Sequence, residues 1–153
     1  MRAIVRSAAL AFLVAALVHA DAHDDVMQVF TKMAAALTGE SFDGVGARPG
    51  NVPEFMSVFS KDFPQYDTLK QMVTALVNGA EVSSSIEPLT EEPGDQTYKI
   101  DVDWFMQIRS LVEDGPMVRR RQVIHCQLRK EKKHWKIVSM TPLDFFAPAN
   151  LGN

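Results

Sequence analysis

A single cysteine, Cys126, in a chain of 153 residues leaves no internal disulfide to hold the fold, so stability has to come from a packed core. Cys126 falls inside an apolar strand pattern, which suits a buried, inert thiol rather than a nucleophile. The sequence also lacks a glycine-rich phosphate loop, a G-x-S-x-G elbow and a paired C-x-x-C. Its four histidines, His19, His23, His125 and His134, show no metal-ligand spacing, and no cofactor is expected. A surplus of basic charge is missing too. The formal net charge is −3, which gives no electrostatic reason to expect a nucleic-acid partner. What is present is an ordinary composition, 46% hydrophobic and 23% charged, enough for one folded domain with one core.

The first residues carry the clearest local signal. Arg2 and Arg6 precede an apolar run of eleven residues, Ala8 to Val18. Small residues then recur in Val18-His19-Ala20 and Ala20-Asp21-Ala22, each fitting the small-x-small rule for cleavage. Residues 1–22 therefore read as a secretory signal peptide, too short in its apolar part to span a bilayer afterwards. No cysteine follows the run to carry a lipid, so no membrane anchor is expected after the cut. The mature chain, 23–153, is expected to be exported, periplasmic or secreted, as a single domain. It keeps 14 basic and 18 acidic residues, a net charge of −4.

Beyond the leader, Val26, Phe30, Met33, Ala34 and Leu37 repeat at helical spacing, with Asp24 and Asp25 at the start and Gly39 as a stop. Residues 41–51, SFDGVGARPGN, read as a connector. Asn51 is placed to cap a short helix that has Pro53 and Glu54 in its first turn and Phe55, Met56 and Phe59 on its apolar side. After Pro64, Leu69, Met72, Val73, Leu76 and Val77 make a full stripe, and Asn78-Gly79 predicts a left-handed stop. The period then changes to two. Strands are expected over 80–89, 97–112, 117–130 and 134–140, with turns at EEPGD, EDGP and KEKK. In the second strand Tyr98, Ile100, Val102, Trp104, Met106 and Ile108 alternate with Lys99, Asp101, Asp103, Phe105, Gln107 and Arg109. Three helices followed by four antiparallel strands predict an α+β fold, with a strongly curved sheet wrapping its dry face around the helices.

This order resembles the nuclear-transport-factor-2-like superfamily, the cone-shaped fold shared with ketosteroid isomerase and the SnoaL-type cyclases. The pieces that carry the resemblance are the helix YDTLKQMVTALVNGAEV, the long strand YKIDVDWFMQIR and the closing hairpin CQLRKEKKHWKIVSM. The resemblance implies a cone open to a ligand between helices and sheet, dimerisation through the sheet, and either catalysis or none. Enzymes of the ketosteroid-isomerase kind place a carboxylate inside the cone. On the long strand the dry-face positions, Tyr98 to Ile108, include no acid, which counts against an enzyme.

The acids Asp101 and Asp103 share the other face. A three-residue loop that opposes Val112 and Pro116 sets Trp104 opposite Ile124, Val102 opposite Cys126 and Asp103 opposite His125. Asp103 and His125 are thus the candidate acid–base pair. The plainer and favoured alternative is a cross-strand contact on the outer face, worth roughly 0.2–1 kcal/mol. Phe105 and Val123 on that same face suit a homodimer interface. The seven basic residues between Arg119 and Lys133 read as a solvated or edge-protecting set. Phe55, Phe59, Tyr66, Trp104 and Met106 are candidates to border a small apolar ligand. A copper(II) or nickel(II) site at Asp21, Ala22 and His23 is expected only if the cut follows Ala20. The reading favoured by the residues is a noncatalytic binding or assembly domain. Its alternative is an isomerase, dehydratase or cyclase.

Overall fold

The computed structural model describes residues 4–39 and 49–151, with side chains from Ala20 onward. Arg2 and most of the glycine-rich connector lie outside the described residues. Three helices, α1 (Ile4–Thr38), α2 (Val52–Met56) and α3 (Tyr66–Gly79), precede four strands, β1 (Ala80–Pro93), β2 (Thr97–Ser110), β3 (Met117–Glu131) and β4 (His134–Thr141). A 3-10 turn, Leu143–Phe146, follows. The strands form one curved antiparallel sheet in the order β1-β2-β3-β4, giving the expected α+β cone. Among the described residues no helix is long and apolar enough to cross a membrane.

The local rules explain most boundaries. Asn51 Oδ1 accepts a hydrogen bond from the Glu54 amide at 3.1 Å and starts α2, with Pro53 in the first turn. Gly39, at φ 60°, ends α1 in the left-handed region where glycine meets no Cβ penalty. The stop predicted at Asn78-Gly79 takes another form. Helix α3 runs to Gly79 and passes directly into β1 through Ala80, whose φ of −158° is extended. A left-handed residue is unnecessary there, because the strand itself takes up the chain. Helix α1 also begins far earlier than Asp24 and is continuous across the expected cut sites.

Two hairpins differ from the sequence reading. The segment Glu91–Pro93, expected as part of a turn, extends β1, with a bulge between Pro88 and Thr90. The β2–β3 loop is longer than expected. Ser110 N bonds Pro116 O at 3.0 Å, and Arg109 pairs with Met117. Leu111 and Val112 leave the strand and are exposed, 59% and 69%. The Ser110 hydroxyl accepts from the Val112 amide, the Gly115 amide donates to Val112 O, and Asp114 takes φ 57°. A Cβ on Gly115 would lie 2.6 Å from that of Ser110, so the tight closure requires glycine. This wider loop shifts the register by two residues. Val102 faces Ile124, Ile100 faces Cys126, and Trp104 faces Gln122.

The shift keeps the faces, because a displacement of two preserves the side-chain period. Trp104, Ile100, Val102, Met106 and Ile108 are fully buried on the dry face. The Trp104 ring meets Phe146 at 5.1 Å, Phe145 at 6.0 Å and Phe30 at 6.5 Å between centroids. Phe146 continues to Phe55, which packs on Phe59, which packs on Phe63. Edge-to-face pairs of this kind add to area burial. Segment 58–60 also bonds the outer edge of β4, through Ser60 N to Ile137 O and Ile137 N to Val58 O, both at 2.9 Å. That contact covers an otherwise open strand edge. Trp104→Ala is expected to lower unfolding stability by about 3–5 kcal/mol, while Trp104→Phe loses less. Urea denaturation monitored by far-ultraviolet circular dichroism measures both.

Candidate functional site

The register correction changes the candidate pair. Asp103 sits opposite Val123, and His125 sits opposite Asp101. Asp103 instead receives two hydrogen bonds from Arg121 Nε, at 3.1 and 3.0 Å, with Arg121 Nη2 also on Oδ2. His125 Nδ1 lies 2.7 Å from Asp101 Oδ1, and the Thr90 hydroxyl donates to Asp101 Oδ2 at 2.9 Å. All of these groups stand on the outer face of the sheet. Arg121 holds the Asp103 carboxyl below its ordinary range. The hydrogen bonds from His125 and then Thr90 do the same for Asp101. Each carboxylate is thus engaged by neighbours on the outer face, and neither borders the clefts described below.

The five residues proposed to border a ligand divide. Phe55, Phe59, Trp104 and Met106 are buried core packed against other side chains. Tyr66 is half-buried and lines a shallow depression beside Phe63 and Pro64. Other clefts also lie on the outside. One of about 240 Å³ is bordered by Leu37, Ala80, Gln107 and Arg109. Another, of about 660 Å³, runs between α1 and β4 beside Lys32, His134 and Trp135. Within the core, Trp104 Nε1 and Trp135 Nε1 have no hydrogen-bond partner among the described residues.

One cluster was missed by the sequence reading. Glu91 Oε1 accepts from the Tyr98 hydroxyl at 2.6 Å and lies 2.6 Å from His23 Nδ1. The bulge at Leu89 produces it. Before the bulge the even residues of β1 face inward, as Ile86 opposite Trp104 does. After it Glu91, opposite Ile100, turns toward the dry side. Pro88 was the only local sign of a break, and its consequence for facing could not be read from it. Burial first, then the Glu91 carboxylate, pushes the Tyr98 phenol well above its usual range. Tyr98 is therefore held as a neutral donor. The conditional metal site at Asp21, Ala22 and His23 needs a chain that starts at Asp21. In the continuous helix the His23 ring nitrogen faces Glu91 instead.

Arg120 is a second inward-side charge. Its Nη1 donates to the carbonyls of Phe145 and Ala147. Those bonds seat the 3-10 turn against Trp104. Ser60, Asp62, Arg129 and Glu131 form a further polar knot, with Arg129 Nη2 2.6 Å from Glu131 and 3.0 Å from Asp62. Both arrangements join segments to the sheet.

No protein-family model and no curated protein matches the sequence. Solved structures do. The chain is similar to a hexachlorocyclohexane dehydrochlorinase, with 9% identity and a TM-score of 0.61 over 81% of this chain and 85% of that one. It is similar to a nuclear-transport-factor-2-like protein of unknown function from Shewanella oneidensis, with 10% identity and a TM-score of 0.57, covering 77% and 95%. A conserved protein from Planctomyces limnophilus matches with 9% identity and a TM-score of 0.61, covering 80% and 94%. The chain has the nuclear-transport-factor-2-like fold. At these identities the likeness extends to fold alone.

Because the fold depresses the Asp101 pKa, the charged form stabilises the folded state. That contribution is present above the ordinary value of 3.8 and is lost as pH falls through the lower folded value. Asp101→Asn is expected to cost less than about 1 kcal/mol at pH 7, as exposed pairs do. Its difference from the unsubstituted protein should close as pH drops below 4, measured by urea titration at each pH.

Proposed function

We propose that this domain of the nuclear-transport-factor-2-like fold is exported and acts as a noncatalytic binding or assembly domain. The observation that carries the reading is the exclusion of charge from the core. Among the described residues no Asp, Glu or His is buried, and Ser60 is the one buried polar residue. General acid–base catalysis in such a cone needs a carboxylate or imidazole beside the substrate. Here Asp103 and His125 lie outside and are each engaged by a different partner. A small apolar ligand, if the cone takes one, has to displace packed side chains, and Trp104 Nε1 is the free donor it would meet.

Assembly is the part best supported by the surface. Phe105 is half-buried and Val123 is 39% exposed, both on the outer face, one on either side of the Asp103–Arg121 pair. Two apolar side chains interleaved with paired charges on one sheet face suit an interface, and a second copy of this chain is the partner proposed. The isomerase, dehydratase or cyclase alternative has the Glu91–Tyr98–His23 cluster in its favour. Against it, the raised Tyr98 pKa disfavours proton release.

Sedimentation of the mature protein tests the assembly reading. A dimer is expected at micromolar concentration, with Phe105→Glu combined with Val123→Glu giving a monomer of unchanged circular dichroism. A monomeric unsubstituted protein would count against assembly. Mass spectrometry of copurifying molecules tests the ligand, and a polar ligand would contradict the apolar reading.

A further inference from the structure

The expected cut sites fall inside packed structure. Residues Ala20, Asp21 and Ala22 belong to α1, which runs without interruption from Ile4 to Thr38. Ala22 packs against the core, one turn before the fully buried Val26. The next residue, His23, is held through Nδ1 by Glu91 Oε1 at 2.6 Å. Glu91 is in turn held by the hydroxyl of buried Tyr98. The helix spans all four residues, the core contact holds Ala22 and the polar latch holds His23.

A peptidase takes its substrate as an extended strand, and proteolysis of a folded chain proceeds through local opening. To present Ala20–Asp21 or Ala22–His23 in that form, α1 must unwind there. For the second bond, His23 must also leave Glu91 and Ala22 must leave the core. We infer that leader removal precedes the docking of α1 on β1, and that the folded precursor is closed to the peptidase. This inference rests on the export reading above. The step itself is a hydrolysis: water supplies hydroxyl to the alanine carbonyl carbon and a proton to the departing amine. In this order the leader is removed first, and α1 docks on β1 afterwards. Whichever bond is cut, His23 survives as the first side chain that ties the new N-terminus to the sheet.

Cell-free synthesis of the full-length precursor tests this. Detergent-solubilised leader peptidase is present from the start in one reaction and added after folding in the other. The first should yield a product starting at Asp21 or His23, and cutting in the second should be at least about tenfold slower. Equal rates overturn the inference and leave export standing. No cutting in either reaction overturns the export reading and this inference with it. A Glu91→Gln precursor, treated after folding, should be cut several-fold faster than the unsubstituted one. An unchanged rate would overturn the part assigned to the Glu91 latch.

Discussion

Trp104 is the contact on which the layers of the cone converge. It comes from the centre of β2, and its ring meets Phe30 of α1 and Phe145 and Phe146 of the 3-10 turn. Phe146 then links to Phe55 of α2. Without an internal disulfide, this aromatic chain and the aliphatic side chains around it supply the main favourable term of folding. Arg120 adds direction to it, because its bonds to the Phe145 and Ala147 carbonyls fix how the turn sits on the ring. The alternation of β2 makes this possible: placing the indole inside obliges Asp101, Asp103 and Phe105 to be outside.

The functional reading follows from that division. Charge kept in water costs little, whereas an unpaired carboxylate beside Trp104 would carry a large desolvation penalty. The outer face therefore collects the ion pairs, and the apolar Phe105 and Val123 stand among them. Their energies are small in solvent, but at an interface paired charges set register and partner choice. Among the described residues the paired charges thus lie on the sheet surface rather than in the core.

The rim is where the two faces exchange. A single bulged residue, Leu89, turns Glu91 inward, and Glu91 joins β1 to β2 through Tyr98 and to α1 through His23. One carboxylate oxygen thus connects three elements. It lies where the expected leader meets the domain, so the order of processing proposed above runs through a contact of the fold.

The sequence by itself determined the element order, the Asn51 cap and the face of every residue on β2, since period two and period 3.6 are local properties of the chain. It also separated Trp104 from the two aspartates. Register was another matter. Apolar pairing favoured the expected alignment, which set Trp104 opposite Ile124, whereas the observed one keeps apolar partners for Val102 and Ile100 and sets Trp104 opposite Gln122. The choice fell to the Ser110–Gly115 closure, whose backbone contacts exist only once the loop has formed. For the same reason His125 went to Asp101 and Asp103 to Arg121. Glu91 reached Tyr98 through a bulge, which no alternation announces. Tertiary structure decided these pairings because they depend on where strands meet across the sheet, and neighbours along one strand carry no record of that.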